Sequence, residues 1–172
     1  VELARQLERL GVDVIEAGFP VSSPDDFEAV QAVAKTITRS TVAALCRAVP
    51  GDIETAARAL EPAKRSRLHV FIATSDLHLK EKLNITREKA LEMIAQSVAL
   101  ARSLCDDVEF SAEDATRSDR EFLLAALNTA IDAGAGIVNV PDTVGYITPE
   151  EMTQLITYLK DNLHKGKDGE AI

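Results

Sequence analysis

The feature that most restricts the fold of this chain is a strand pattern followed by a helix pattern, repeated at intervals of about 30 residues. Short apolar runs predict five strands, and amphipathic segments between and around them predict six helices. The strand patterns lie at 12–20, 41–46, 68–73, the first half of 108–118, and 136–140. Strands that are connected through helices are parallel. The sequence therefore predicts an α/β domain built on a parallel sheet.

Residues with capping preferences mark the ends of the predicted helices. Leu3, Leu7 and Leu10 share one face of the first helix, and Gly11 follows where a left-handed C-terminal cap is expected. The sequence Ser118-Asp119-Arg120-Glu121 predicts a capping box in which Ser118 is the N-cap of a later helix. Further N-caps are predicted at Ser23, Thr86 and Thr148.

Two architectures fit this alternation. A doubly wound sheet would be complete with about five strands, whereas a (β/α)8 TIM barrel needs eight strands and about 250 residues, so this chain would be an incomplete segment of one. Polar residues stand at the C-terminal end of every predicted strand, which favours the barrel, because a barrel draws its site from every strand. These residues are Glu16, Arg47, Thr74 with Ser75 in a polar loop at 74–78, Ser111 with Glu113, and Asp142 with Thr143. Residues 1–163 are therefore predicted to form part of a TIM barrel, followed by a patternless tail at 164–172.

Composition argues against several classes of function. The formal net charge of −9 disfavours a surface for nucleic acid or anionic lipid, since both require clustered Lys and Arg. No apolar run reaches the roughly 18 to 20 residues of a membrane span, and no signal-peptide pattern opens the chain, which predicts a cytoplasmic protein. Cys46 and Cys105 lie in apolar surroundings and are predicted to be reduced thiols. The chain begins inside a helical pattern at Val1, which suggests a part of a longer protein.

The segment 108–118 is the most informative about a functional site. Side chains alternate in direction along a strand, so Glu109, Ser111 and Glu113 share one face, while Val108 and Phe110 share the other. Burying two carboxylates and a hydroxyl is costly unless each group finds a partner. This strand is therefore predicted to line a site.

Four sequence blocks resemble the 2-isopropylmalate synthase family, in the same order and spacing. The blocks are Glu-Ala-Gly-Phe-Pro-Val-Ser-Ser-Pro (16–24), Phe-Ile-Ala-Thr-Ser (71–75), Val-Glu-Phe-Ser-Ala-Glu-Asp-Ala (108–115) and Asn-Val-Pro-Asp-Thr-Val-Gly-Tyr (139–146). The resemblance covers residues 1–163 and places them inside the catalytic barrel of that family. A wider group of metal-dependent barrels, which includes homocitrate synthase, citramalate synthase and hydroxymethylglutaryl-CoA lyase, is similar to a lesser degree.

This resemblance implies an acyltransferase that performs a Claisen-type condensation. Acetyl-CoA would lose a methyl proton, the resulting enolate would attack the keto carbon of 2-oxoisovalerate, and thioester hydrolysis would release 2-isopropylmalate and CoA for leucine biosynthesis. A divalent cation, Mn2+, Mg2+ or Zn2+, would polarise the keto group as a Lewis acid. The resemblance also implies that the complete enzyme is a homodimer acting on small molecules.

Site residues follow from the positions that match the family blocks. The resemblance implies that Glu113 is the carboxylate that helps in the proton chemistry and that Thr143 is the hydroxyl that binds the carboxylate of the oxo acid. By strand parity, the C-terminal opening of the predicted barrel (the mouth) also receives the side chains of Ser111, Glu16 and Arg47. These three residues are predicted to line the substrate pocket. As an alternative, Glu16 and Arg47 would simply pair with each other across neighbouring strands.

The chain also departs from the family pattern. An Arg-Asp pair at the end of the first barrel strand and a His-x-His pair on the seventh strand carry metal ligands in the family, and this sequence has neither. The metal ligands are therefore expected outside this segment, and the chain by itself is expected to be inactive. His78 is predicted to be an exposed loop residue, and His69 a strand residue with a local hydrogen bond. Homocitrate or citramalate synthesis, or a non-catalytic half-barrel that binds a partner, remain alternatives.

Overall fold

The computed structural model describes residues 1–165, which contain one sheet of five parallel strands. The strands are Val14–Gly18 (β1), Thr41–Arg47 (β2), Ser66–Ala73 (β3), Val108–Glu113 (β4) and Ile137–Asn139 (β5). They lie in the order β1-β2-β3-β4-β5, so each strand pairs with the next one along the chain. A doubly wound sheet would reverse its order at a switch point. The unbroken order is that of a TIM barrel and confirms the prediction of an incomplete barrel segment. Most of the predicted tail, residues 166–172, lies outside the described residues.

The helices form one layer on one face of this sheet. Their bounds are Glu2–Leu10 (α1), Pro24–Thr36 (α2), Pro50–Leu60 (α3), Asp76–His78 (α4), Arg87–Leu104 (α5), Arg120–Ala133 (α6) and Pro149–Asn162 (α7). The long helices α2, α3, α5 and α6 each contact the strand before and the strand after them, and each packs on the next long helix. Within residues 1–165, no helix combines the length and the apolar character needed to span a bilayer.

The core lies between the helix layer and the face of the sheet that it covers. On β4, the side chains of Val108, Phe110 and Ala112 are 1%, 0% and 0% exposed, so the predicted alternation is confirmed. Phe110 lies in register with Val70 of β3 and Val138 of β5, which places its ring at the centre of the packed layer. The opposite face of the sheet is consequently left for the polar side chains.

Four of the five predicted helix caps described above form as expected. Ser23, Thr86 and Thr148 each accept a hydrogen bond from the backbone N–H three residues later, and Gly11 ends α1 in the left-handed conformation. The predicted capping box at Ser118 is wrong. Asp119 is the N-cap of α6, and its carboxylate accepts from the Phe122 N–H at 2.9 Å.

The Ser118 hydroxyl is used elsewhere. It lies 2.7 Å from the Thr74 hydroxyl, and it donates to the Asp114 carbonyl oxygen at 3.0 Å. These contacts hold the turn after β4 against the end of β3. The local sequence favoured Ser118 as the N-cap. Its hydroxyl contacts Thr74 at the end of β3 instead, so it does not cap α6.

The cap of α7 gives a prediction for stability. Thr148 and Glu151 form a full capping box, in which each side chain accepts from the other residue's backbone N–H. Thr148→Ala is expected to lower the free energy of unfolding by about 1 kcal/mol, because it leaves N-terminal N–H groups of α7 without an acceptor. Urea unfolding followed by circular dichroism measures this, with Thr153→Ala in the same helix as the control. A loss no larger than that of the control would contradict the role of the cap.

The apolar residues that share one face of α1 are only partly covered within the described residues. Leu3 and Leu10 are 72% and 78% exposed, while Ala4 is buried and Leu7 packs only partly against the core. Glu8 anchors α1 to the segment before β2, because its carboxylate accepts from the backbone N–H groups of residues 38, 39 and 40. Leu7, on the same face as Leu3 and Leu10, is the leucine of this helix that packs against the core.

The segment after β3 is only partly the loop that its polar residues predict. Ser75 caps the short helix α4 by accepting from the His78 N–H at 3.3 Å. The chain then continues as a π-helical turn at Leu79–Leu83, which ends at Asn84 in the left-handed conformation. This helical segment carries two side chains, His78 and Lys82, to the C-terminal end of β4.

Both cysteines have thiols that form no disulfide, as predicted. Cys46 is 0% exposed and donates a weak hydrogen bond to the His69 carbonyl oxygen at 3.4 Å. Burial, assisted by the Asp52 carboxylate, raises the pKa of the Cys46 thiol to about 12. This thiol therefore stays protonated near neutral pH and packs as a core residue.

Candidate active site

Polar side chains occupy the face of the sheet that the helices leave uncovered. Neighbouring strands place their side chains in rows, and one row contains Arg47, Phe71, Ser111 and Asn139, which are in register from β2 to β5. The row below it contains His69 on β3 in register with Glu109 on β4. In a closed barrel this face is the interior, and its C-terminal end is where active sites lie.

A chain of hydrogen bonds crosses this face from β1 to β5. The carboxylate of Glu16 is hydrogen-bonded to Nδ1 of His69, and Nε2 of His69 lies 2.6 Å from the Ser111 hydroxyl. The side-chain amide of Asn139 donates to the same hydroxyl at 2.9 Å. The predicted residues Glu16 and Ser111 are thus brought together, but through His69 as the intermediary.

The direction of these hydrogen bonds depends on which ring nitrogens of His69 carry a proton. A carboxylate only accepts, so Nδ1 of His69 donates to Glu16. In the neutral tautomer that keeps this proton, Nε2 accepts from the Ser111 hydroxyl, whose oxygen also accepts from the Asn139 amide.

The expectation of a local hydrogen bond for His69 is wrong. Its partners, Glu16 and Ser111, are 53 and 42 residues away in sequence. The signal that could have identified it is the alternation along β3, which puts Arg67, His69 and Phe71 on the same face. The predominance of apolar residues in 68–73 obscured this alternation in the sequence.

A partly buried ion-pair cluster lies at the opposite, N-terminal end of this face. The Arg67 guanidinium donates to both carboxylate oxygens of Asp107, at 2.9 and 3.0 Å, and to Glu109 at 3.2 Å. Only 13% of the Arg67 side chain is exposed. Glu109 was predicted to face the site. Its carboxylate accepts from Arg67 instead and lies at the N-terminal end of this face.

Glu113 stands at the end of β4 with its carboxylate at the mouth. Its Oε1 atom accepts from Nζ of Lys82 at 2.6 Å and lies 3.9 Å from Nδ1 of His78. The side chain is 20% exposed, so it is sheltered but accessible. A cleft of about 300 Å3 opens beside it, lined by Phe71, Lys82 and apolar residues of β3, α5, the π-helical turn and the loop after β2.

Thr143, in the turn after β5, lies next to Glu113 along the rim. Its hydroxyl oxygen accepts from the Asp114 N–H at 2.9 Å. Because the oxygen is held as an acceptor there, the hydroxyl proton remains available to a group at the mouth. The structure therefore brings together Thr143 and the end of the strand that carries Glu113.

Arg47 is separate from this cluster. Its guanidinium donates to both carboxylate oxygens of Asp52, at 2.6 and 3.1 Å, and lies 5.7 Å from the centre of the Phe19 ring. Arg47 borders the cleft beside Glu113 but makes no ion pair with Glu16, whose partner is His69. The alternative in which Glu16 and Arg47 pair with each other is therefore wrong.

His78 is not the exposed loop residue that the sequence suggested. Its side chain is 23% exposed, and its Nδ1 atom is buried without a hydrogen-bond partner among the described residues. Nδ1 lies 3.6 Å from the Asp114 carboxylate, in addition to its approach to Glu113. The helical segment that positions His78 and Lys82 was not predicted, since elements of three and five residues are too short to show a helical period.

The acidic and histidine side chains of residues 1–165 include no group of three or more arranged to hold a metal ion. Glu113 and His78 approach each other only at 3.9 Å, and Lys82 already bonds to that carboxylate. The residues present at this mouth thus do not by themselves form a metal centre.

Curated relatives match nearly the whole chain. It is 55% identical over 168 residues to 2-isopropylmalate synthase from Caulobacter sp. (strain K31), a match that covers 98% of this chain and 32% of that protein. It is also 55% identical over 163 residues to 2-isopropylmalate synthase from Pyrococcus furiosus, covering 95% of this chain and 33% of that protein. The chain spans about a third of the length of these relatives.

Solved structures support the fold. Hydroxymethylglutaryl-CoA lyase from Pseudomonas aeruginosa superimposes with a TM-score of 0.76 at 22% identity, covering 94% of this chain and 56% of that one. At this level of identity the similarity concerns the fold alone, and it agrees with the strand order of a partial barrel. The HMGL-like family model matches residues 1–170, which is nearly the full sequence. This match, together with the sheet order and the similarity to curated relatives, shows that the chain belongs to the HMGL-like family.

Proposed function

We propose that the protein carrying this chain is an acyltransferase that condenses acetyl-CoA with 2-oxoisovalerate (3-methyl-2-oxobutanoate) and water to give 2-isopropylmalate and CoA. The observation that carries the proposal is the hydrogen bond from the Asp114 N–H, directly after Glu113, to the Thr143 hydroxyl oxygen, which joins the C-terminal ends of neighbouring strands. The 55% identity to 2-isopropylmalate synthases supports the choice of reaction. This reaction is the first committed step of leucine biosynthesis.

The proposed chemistry needs a proton acceptor and an anion-binding group side by side. The methyl group of acetyl-CoA gives up a proton, and its carbon bonds to the keto carbon, while the keto oxygen gains a proton. Water then cleaves the thioester carbon–sulfur bond and leaves a carboxylate and the thiol of CoA. Glu113 is the group proposed to assist in the proton transfers, since carboxylates positioned by a neighbouring cation act as general acids and bases.

Thr143 is proposed to bind the carboxylate of the oxo acid. Its oxygen is held by the Asp114 N–H, so its own proton can be donated to an anion without adding a charge to the site. Ser111 and Glu16 are proposed to shape the pocket through the hydrogen-bond chain that includes His69. Arg47 is proposed to border the cleft that would receive the acetyl group.

We infer that a divalent metal ion, Mn2+, Mg2+ or Zn2+, acts in the complete enzyme with ligands from outside residues 1–165. The absence of a suitable cluster among the described residues is the reason for placing the ligands elsewhere. When bound, such an ion would supply Lewis-acid polarisation of the keto group. The complete enzyme is further proposed to be a cytoplasmic homodimer, which size-exclusion chromatography with light scattering would test.

The substrate is tested by a direct assay of the complete protein. Release of CoA thiol is measured with acetyl-CoA and 2-oxoisovalerate, and separately with 2-oxoglutarate or pyruvate in its place. We expect the highest kcat/KM with 2-oxoisovalerate. A preference for either of the other two acids would assign the protein to homocitrate or citramalate synthesis and overturn the substrate proposed here.

The chain of 172 residues is expected to be inactive when produced alone. Isothermal titration with Mn2+ or Zn2+ should show no tight stoichiometric binding, because the mouth contains no sufficient ligand set within residues 1–165. The complete protein, titrated in the same way, is the control. Tight binding of one ion by this chain would show that the described residues hold the metal after all.

A further inference from the structure

Asp114 has a backbone conformation that is uncommon outside glycine, although Asp tolerates it better than most residues. Directly after β4 it adopts the left-handed conformation, with φ 64° and ψ 35°. Residues other than glycine take up this conformation at a steric cost, and they keep it where surrounding contacts impose it. Within the described part of the chain, Asn84 is the other such residue, and it merely ends a helical turn. Asp114 instead follows Glu113 in the sequence and contacts Thr143 through its backbone N–H.

The side chain of Asp114 is entirely buried, and both of its carboxylate oxygens accept hydrogen bonds. Its two carboxylate oxygens accept from Nε and Nη2 of Arg117 at 2.8 and 2.9 Å, and Nδ1 of His78 lies 3.6 Å away. The residue is 0% exposed. Burial by itself raises the pKa of Asp114, but hydrogen bonds from Arg117 and Ser75 outweigh burial and lower the pKa below its ordinary value. The carboxylate is therefore held ionised at neutral pH.

The peptide group that joins Glu113 to Asp114 is fixed from both sides. The Glu113 carbonyl oxygen accepts from the Thr74 N–H at the end of β3, at 3.0 Å. The Asp114 N–H donates to the Thr143 hydroxyl oxygen after β5, at 2.9 Å. These two hydrogen bonds orient the peptide plane, and the left-handed turn at Asp114 sends the chain from it to Arg117, whose side chain returns to the Asp114 carboxylate. Glu113 and the Thr143 hydroxyl are thus linked through a peptide group that directly precedes this turn.

We propose that Asp114 is a positioning residue for the condensation: the ion pair of its buried carboxylate with Arg117 holds the left-handed turn next to the peptide group that links Glu113 to Thr143, and so keeps these two residues in one geometry. This inference rests on the proposed function. Asp114 acts through these two residues and does not itself contact substrate. Reacting groups displaced by about 1 Å can lose about 100-fold in rate, so a change in this turn should be seen in the kinetics.

The test uses Asp114→Asn in the complete protein. Asn tolerates the left-handed conformation but lacks the charge that binds Arg117 in the two-point geometry. We expect kcat to fall about tenfold and KM for 2-oxoisovalerate to rise about tenfold, with KM for acetyl-CoA unchanged, because Thr143 binds the oxo acid. Asp107→Asn is the matched control: Asp107 also accepts two hydrogen bonds from one arginine, but at the opposite end of β4. That control should leave both KM values unchanged.

A second variant and a double substitution separate positioning from general stability. Arg117→Lys keeps the charge but loses the two-point contact, and it should reproduce the shift in KM if Asp114→Asn does not fold. In a Thr143→Ala background, Asp114→Asn should raise KM for the oxo acid no further, since its effect on KM is exerted through Thr143. Additive increases in KM, or a loss of kcat with both KM values unchanged, would overturn the positioning role.

Hydrogen exchange gives a readout that does not depend on activity. In the complete protein, the peptide containing residues 113–115 should exchange at least about tenfold faster in Asp114→Asn and Arg117→Lys than in the parent or in Asp107→Asn. Equal protection in all four proteins would contradict the inference. If the unaltered protein condenses none of the three oxo acids with acetyl-CoA, the proposed function fails, while the exchange result still decides whether Asp114 holds this turn.

Discussion

Replacing Glu113 by Gln is expected to lower kcat for the condensation by about 10²- to 10⁴-fold in the complete protein, the range lost when a positioned general acid or base is removed. Gln keeps the shape and can still contact Lys82, which bonds to the native carboxylate at 2.6 Å. It cannot accept or release a proton at neutral pH. KM for both substrates should therefore change much less than kcat, as expected for a group that acts in the transition state.

The measurement is a steady-state assay of thiol release with each substrate varied in turn. Glu92→Gln is the matched control, because Glu92 also pairs with a lysine, Lys89 at 2.8 Å, but on the exposed surface of α5. The control should retain parental activity. If Glu113→Gln keeps more than about a third of the parental kcat, a rate effect far smaller than general acid–base catalysis supplies, Glu113 has no part in the proton transfers.

Phe110→Ala is expected to lower the free energy of unfolding by about 3 to 5 kcal/mol, the usual cost of removing a fully buried aromatic ring. The ring is 0% exposed and lies on β4, with a paired strand on each side, so a cavity there cannot collapse easily. Because domains are stable by only about 5 to 15 kcal/mol in total, this change is expected to bring the protein close to unfolding.

Urea unfolding followed by circular dichroism measures this loss, and two further variants calibrate it. Phe110→Leu keeps most of the apolar volume and should cost less than half as much as the alanine substitution. Leu77→Ala removes a side chain that is 55% exposed and should change stability by less than about 0.5 kcal/mol. A loss below about 1 kcal/mol for Phe110→Ala would mean that the ring is not part of the core.

The hydrophobic pattern determined which segments fold and which faces are buried. The alternation on β4 predicted the burial of Val108 and Phe110 and the polar face of Ser111 and Glu113, because side chains in a strand alternate whatever lies around them. Three N-caps formed as predicted for a similar reason, since each depends on atoms only three residues apart. The family blocks placed the chain in a barrel before the strand order was known.

The site was predicted only where its residues lie on one strand or within one block. Glu113 and Thr143 were identified, but the link between them through the Asp114 peptide joins residues 29 positions apart. His69 and Lys82 were missed because their partners, Glu16 and Glu113, come from other strands. Spacing along the sequence contains no information about such contacts.

The sequence by itself determined the α/β class, the number of strands, most helix ends and the family, because all of these depend on local periodicity, local hydrogen bonds or matching residue blocks. The tertiary structure decided the order of the strands, how α1 packs, the true cap of α6 and the partners of Glu16 and His69. Each of these is settled by a contact between distant segments, such as the anchor from Glu8 to residues 38–40. Such contacts exist only once parallel strands place their polar ends side by side.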